Sequence, residues 1–159
     1  MPAKPKPTKE KKPRVKKLDP DYWFSLCVRE RAEWTCEACG KHYEPDINLN
    51  TGLPGTRAFH CSHYIGRANY AVRFYRYNAN GHCYGCHSRF EGNPHVFKDW
   101  KAEEMGSEVA YNNLIALSND AMRGKRSRQE KQQIAEHYQR EFFRIRNSRN
   151  KDFADYFGG

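Results

Sequence analysis

Cys36 and Cys39 form one Cys-x-x-Cys pair and Cys83 and Cys86 a second, with forty-four positions from Cys39 to Cys83. Four thiolates in two knuckles are the donor set of a closed tetrahedral zinc site rather than of a disulfide framework. Buried or redox thiols are the plainer reading of the same residues. A shared metal obliges two distant segments to meet at one point, so the stretch between them is expected to fold as an insertion held at both ends. Cys27 and Cys61 are left over and read as small core residues. The chain has reason to need a staple: 159 residues, 38% hydrophobic, with a mean hydropathy of −1.04, make a lean core. No apolar signal segment opens the sequence, and no run reaches the length of a membrane span. A protein of the reducing cytoplasm, with no membrane partner, is the expectation.

Charge narrows the partners. The net charge is +9, and residues 1–18 carry eight cationic side chains against Glu10 alone. Pro2, Pro5, Pro7 and Pro13 interrupt this stretch, which has nothing to bury and reads as a disordered basic arm. Lys11, Lys12, Lys16 and Lys17 within it suit contact with phosphates, binding that weakens as salt rises. A solubilising or localisation tail is the alternative. Charge alone indicates a polyanion and does not choose DNA.

Asp19-Pro20-Asp21 is a helix start, with a capping carboxylate, proline in the first turn and an acid at the positive end of the dipole. Trp23, Leu26, Cys27 and Glu30 follow at helical spacing, so a helix is expected over about 20–33. Residues 41–57, rich in Pro, Asn and Gly, read as a loop or hairpin. Ala58 to Tyr64 reads as a strand, and Ala71 to Tyr75 as an extended piece able to pair with it. Asn78 to Gly81 looks turn-like, and a helix is expected from Cys86 to Gly92-Asn93-Pro94. Beyond it the pattern is helical: Val96, Phe97 and Trp100 up to Gly106, then Val109, Leu114 and Leu117. A longer helix starts near Ser127 and carries Ile134, Tyr138, Phe142 and Ile145. Residues 19–148 make one domain, and 149–159 a tail.

The histidines carry the chemistry. Hydrolysis of a phosphodiester needs a base for the attacking water, a group that orients the base, and a divalent ion on the scissile phosphate. His63, at a strand end, can be the base if its imidazole is neutral. Asn78 can fix that ring through its amide or carbonyl, or can be a simple turn residue. His87 opens a helix facing back toward the strand, and Glu91 shares its helix face. Together they make a partial cage for Mg²⁺ or Mn²⁺.

The order His63, Asn78, Cys83-x-x-Cys86, His87, with a knuckle upstream, resembles the zinc-bearing HNH nucleases. Ser62-His63-Tyr64, Val72-Arg73-Phe74, Asn78, Cys83-Tyr84-Gly85-Cys86 and Gly92-Asn93, with Tyr22-Trp23 ahead of the first knuckle, are similar more closely to the phage NinG (Rap) recombination proteins. The similarity runs in order over roughly residues 20–148. It implies a ββα-metal core and structure-directed cleavage of branched or junction DNA, in the host cytoplasm of a phage. In many HNH nucleases an Asp precedes the catalytic His and binds the metal. Ser62 stands there in this chain, so either His60, three residues earlier, takes the place of that ligand, or the metal rests on His87 and Glu91 with the DNA's own phosphate. Arg67, Arg73, Arg76 and Arg89 surround the motif as candidate phosphate contacts.

The expected protein is thus an α+β domain with a zinc-stapled ββα-metal core, a leading helix and a helical C-terminal half. Its expected activity is metal-dependent DNA endonuclease action. Two-fold junction cleavage would call for two active sites, hence a homodimer. A non-catalytic zinc module that binds nucleic acid, and a general nicking or packaging-associated HNH nuclease, stand as alternatives.

Overall fold

A computed structural model describes residues 18–120 and 124–157, with side chains through residue 150. All of the basic arm except Leu18, including Lys11, Lys12, Lys16 and Lys17, lies outside the described residues. The architecture is α+β, with five α-helices and two small two-stranded antiparallel sheets among the described residues. No helix among the described residues is long and apolar enough to cross a membrane.

Helix α1 spans Pro20–Arg31, and Asp19 caps it by accepting the Asp21 N–H at 2.9 Å. It stops short of residue 33 because Glu33 and Trp34 take left-handed backbone angles, with φ of 54° and 56°. Such angles cost side-chain-bearing residues energy. Here they turn Trp34 into the core, where its indole N–H donates to the Glu30 carboxylate at 2.8 Å. The chain then makes the first knuckle, in which Gly40 adopts φ 77° and its N–H returns to the Cys36 carbonyl.

The loop expected at 41–57 contains a short hairpin of β1 (Asp46–Ile47) and β2 (Pro54–Gly55). Strand β3 is Phe59–His63, as its pattern indicates, but its partner is β4, Ala79–Cys83. The pairing sets His60 opposite His82 and His63 opposite Ala79. Ala71 to Tyr75 does not pair with β3; it lies in turns within the long connection between the strands. A 3-10 turn at Arg76–Asn78 leads directly into β4 where a turn was expected through Gly81.

Tertiary partners make a strand of this Asn- and Gly-rich segment, whose five residues are all buried. The Asn80 side chain accepts Lys101 Nζ on Oδ1 at 2.7 Å and donates from Nδ2 to Glu104 at 3.1 Å. His82 sits against Phe90, Phe97 and Trp100. Gly81 lies beneath the Phe59 ring, where an added Cβ would come within 2.5 Å of Cζ and 2.8 Å of Ala32 Cβ. Gly81→Ala is expected to destabilise the domain by about 1–3 kcal/mol through overpacking. An unchanged urea midpoint would contradict this account of β4.

Helix α2 (Tyr84–Gly92) begins earlier than Cys86, with Cys83 as its cap. Helices α3 (Pro94–Met105) and α4 (Glu108–Ser118) are separated by Gly106 in the left-handed region and capped afresh by Ser107. Helix α5 runs from Arg128 to Phe157 and so continues into the segment 149–157. Helix α1 lies along α5, with Trp23 against Phe142 and Phe143, and Phe24 edge-on to Tyr138. At the far end Arg149 closes on the buried Glu30 carboxylate at 2.7 Å. This brace sets α1 rigidly beside β3, one wall of the site described next.

Candidate metal centre and histidine cleft

The two Cys-x-x-Cys pairs come together. One sulfur each from Cys36, Cys39, Cys83 and Cys86 lies within 4.8 Å of all the others, a quartet placed to hold one metal ion. The Cys39 and Cys83 sulfurs are 3.8 Å apart. Tetrahedral thiolates with metal–sulfur bonds of about 2.3 Å would be separated by about 3.8 Å, so the spacing suits zinc. The Cys83 sulfur also accepts the Cys86 N–H at 3.4 Å. Burial pushes the Cys83 thiol upward, but that N–H and the three neighbouring thiols outweigh it and bring the group down to about 7. The first knuckle docks on β4 through Glu37, whose N–H reaches the Gly81 carbonyl and whose carboxylate accepts the Gly81 N–H at 2.6 Å. Cys27 and Cys61 stay apart from the quartet, raised by burial to about 11 and about 12.

Beside this centre, β3, α1 and α2 enclose a cleft of about 620 Å³. It brings His60, His63, His87 and Glu91 onto one surface, with Asp21, Ser25, Arg29, Arg57, Cys61 and Arg67. Ser62 is buried opposite Asn80 and does not line it.

His63 is partly buried against the Phe24 ring, and its Nε2 lies 2.9 Å from the Arg73 carbonyl oxygen. A carbonyl only accepts, so Nε2 carries the proton and Nδ1 the lone pair. Burial lowers the His63 pKa; the Arg73 carbonyl opposes that shift, and the Arg67 charge adds to it. The ring is therefore neutral at neutral pH, the state a base requires.

Asn78 does not touch this imidazole. Its fully buried side chain accepts the Ile65 N–H at 2.8 Å and donates to the Ile65 and Val72 carbonyls at 2.9 and 3.1 Å. It closes the loop between β3 and β4, and the contact expected of it is made by Arg73.

His87 and Glu91 meet, but as partners of each other: Nε2 of His87 lies 3.0 Å from the Glu91 carboxylate. The carboxylate accepts, so Nε2 of His87 is the donor in this contact. Nδ1 of His87 is buried without a hydrogen-bond partner, as is Nε2 of His60, and the two rings are 5.2 Å apart. Burial lowers the His60 pKa and the neighbouring His87 lowers it further. Two buried imidazole nitrogens without partners, one ring oriented by a carboxylate, are an arrangement able to take a metal ion with Glu91 behind the ligand. Among the described residues, His60, His87 and Glu91 do not form a three-ligand group with ligand atoms within 4.8 Å; the cysteine quartet is the one such group.

No protein-family model, curated protein or solved structure matches this chain.

The arginines divide. Arg73 is committed to Asp21 by two hydrogen bonds of 2.9 and 2.7 Å, which leaves its guanidinium engaged within the fold. Arg76 and Arg89 are exposed and lie over the Tyr77 and Phe90 rings, outside the cleft lining. Arg67 lines the cleft. So do Arg29 and Arg57, which sequence reasoning missed. Arg29 packs over Trp34 at 5.2 Å and donates Nε to the Ser25 carbonyl. Asp21, Ser25 and Arg29 repeat every four residues, a polar stripe along α1 that the helical pattern already contains. Among the described residues no carboxylate forms an ion pair with Arg29, Arg57 or Arg67. The two cleft carboxylates, Asp21 and Glu91, are engaged by Arg73 and His87. The cleft is left with surplus positive charge.

Proposed function

We propose that this protein is a metal-dependent DNA endonuclease of the zinc-bearing HNH kind, with zinc on the four cysteines and a ββα-metal core formed by β3, β4 and α2. The observation that carries this reading is the cleft, in which a neutral, oriented histidine and a second pair of histidines share one surface with three arginines that form no ion pair with a carboxylate among the described residues. A phosphodiester is the substrate that such a surface suits.

In this mechanism Arg29, Arg57 and Arg67 hold the backbone phosphates. A water gives its proton to Nδ1 of His63 as its oxygen bonds to phosphorus, and one ester P–O bond breaks, releasing a sugar oxygen. His60 Nε2 and His87 Nδ1 would hold a divalent ion, with Glu91 fixing the His87 ring. Such an ion, when bound, would supply charge neutralisation for phosphodiester hydrolysis. Imidazole donors suit Mn²⁺ and later transition ions better than Mg²⁺, which prefers oxygen. The sequence resemblance adds branched DNA as the preferred form, and the basic arm would raise affinity without selectivity.

The deciding experiment incubates the full-length, zinc-loaded protein with supercoiled plasmid and with a synthetic four-way junction, in Mn²⁺, Mg²⁺ or EDTA. Metal-dependent cutting, faster with Mn²⁺ than with Mg²⁺, is expected. Preference for the junction supports the recombination reading, and equal cutting of plasmid supports a general HNH nuclease. Binding without any cutting by the folded protein would make it a zinc-dependent binding module. Sedimentation of the junction complex tests for the homodimer.

A further inference from the structure

The backbone that holds His63 is itself held by a side chain on another element. The Arg73 carbonyl receives His63 Nε2–H at 2.9 Å. The guanidinium of the same residue forks onto Asp21 of α1, with Nε to Oδ1 at 2.9 Å and Nη2 to Oδ2 at 2.7 Å. A partly buried fork of this kind fixes orientation as well as distance. Nη1 of the same guanidinium reaches the Arg67 carbonyl at 3.2 Å, so two points of the connecting loop are tied to one carboxylate. Asp21 is itself fixed, because its N–H is bound by the Asp19 cap and its helix is braced against α5. The loop between β3 and β4 has no regular structure apart from the 3-10 turn. The fork is thus a direct link from a rigid helix to the peptide that orients the histidine.

We propose that Asp21, acting through Arg73, is the positioning residue of His63, holding the imidazole in the Nε2–H tautomer so that Nδ1 is the basic atom offered to the cleft. The proposal deepens the nuclease reading and rests on it for its consequence in turnover, but the tautomer can be read without any DNA.

The test uses full-length, zinc-loaded wild type and the variants Asp21→Asn, Arg73→Lys and Asp21→Glu. Long-range proton–nitrogen correlation spectra give the His63 tautomer, and cleavage kinetics give kcat and KM. Wild type is expected to show a single Nε2–H tautomer. Asp21→Asn and Arg73→Lys, which weaken or remove the charged fork, should show a mixture, with kcat lowered about tenfold and KM changed by less than about twofold. Asp21→Glu keeps the carboxylate and should restore the single tautomer. Melting curves and zinc content taken alongside identify a merely structural role, which would lower the melting temperature and leave the tautomer as it was. That result overturns the proposal, as does wild-type kcat in a variant whose tautomer has become mixed. If the wild type cuts no DNA, the nuclease reading fails, while the tautomer comparison still decides whether Asp21 orients His63.

Discussion

Cys36→Ser or Cys86→Ser, or removal of the metal by a strong chelator, is expected to unfold the domain rather than merely loosen the knuckles. The quartet brings the segment after α1 to the junction of β4 and α2, two parts of the chain that a metal on the four sulfurs would join. Cys83 also caps α2, and the docking of Glu37 on Gly81 depends on the two segments staying together. Losing the ion therefore releases a helix start, a strand edge and the insertion between the pairs in one event. Structural zinc sites of this kind contribute about 10 kcal/mol or more of binding energy that is also folding energy. A domain of this size has a net stability of only about 5–15 kcal/mol, so the loss cannot be absorbed. Cys27→Ser and Cys61→Ser are the controls, since neither residue belongs to the quartet, and both should still bind one metal ion per chain. Circular dichroism melts with metal content measured on the same samples would check this. A Cys36→Ser protein that binds no metal yet melts like the wild type would show that the staple does not hold the fold.

The parts of the fold written locally were legible in the sequence. Asp19-Pro20 starts α1, Gly106 ends α3, and the Cys-x-x-Cys spacing brings its four sulfurs together, because a cap, a left-handed glycine and a shared metal need only short-range chemistry or matched ligands. Strand β4 was not legible. Its Asn80, Gly81 and His82 have turn composition, and they become a buried strand only through Lys101, Phe59 and Trp100, residues whose arrival no local pattern announces. The candidate site divides in the same way. His60, His63 and His87 could be singled out by type and order, and the fold does bring them to one cleft. The finer assignments depended on which atoms meet. Asn78 serves the loop instead of the ring, Arg73 serves Asp21 instead of a phosphate, and Glu91 backs His87. The Asp21, Ser25 and Arg29 stripe was present at helical spacing, but its meaning depends on His63 and Arg67 lying opposite, which follows only from the packing of α1 on β3.

His63→Ala should reduce DNA cleavage by about 10²–10⁴-fold while leaving DNA affinity within about twofold, the signature of a lost proton acceptor rather than a lost contact. The ring is only partly buried, so its removal leaves the Arg73 carbonyl open to water and should cost little stability. The pH profile is the sharper discriminator. A base works only when unprotonated, so cleavage falls as pH drops through the His63 pKa. Burial, reinforced by Arg67, holds that pKa below the ordinary value of 6.5. The acid limb of the wild-type profile is therefore expected below 6.5, and it should disappear from whatever residual activity His63→Ala retains. Asp21 acts in the opposite sense, since its charge raises the His63 pKa. Neutralising it in Asp21→Asn should move the limb lower still while reducing the plateau. A wild-type limb above 6.5 would assign the proton transfer to another group in the cleft, and full activity in His63→Ala would remove this residue from the chemistry altogether.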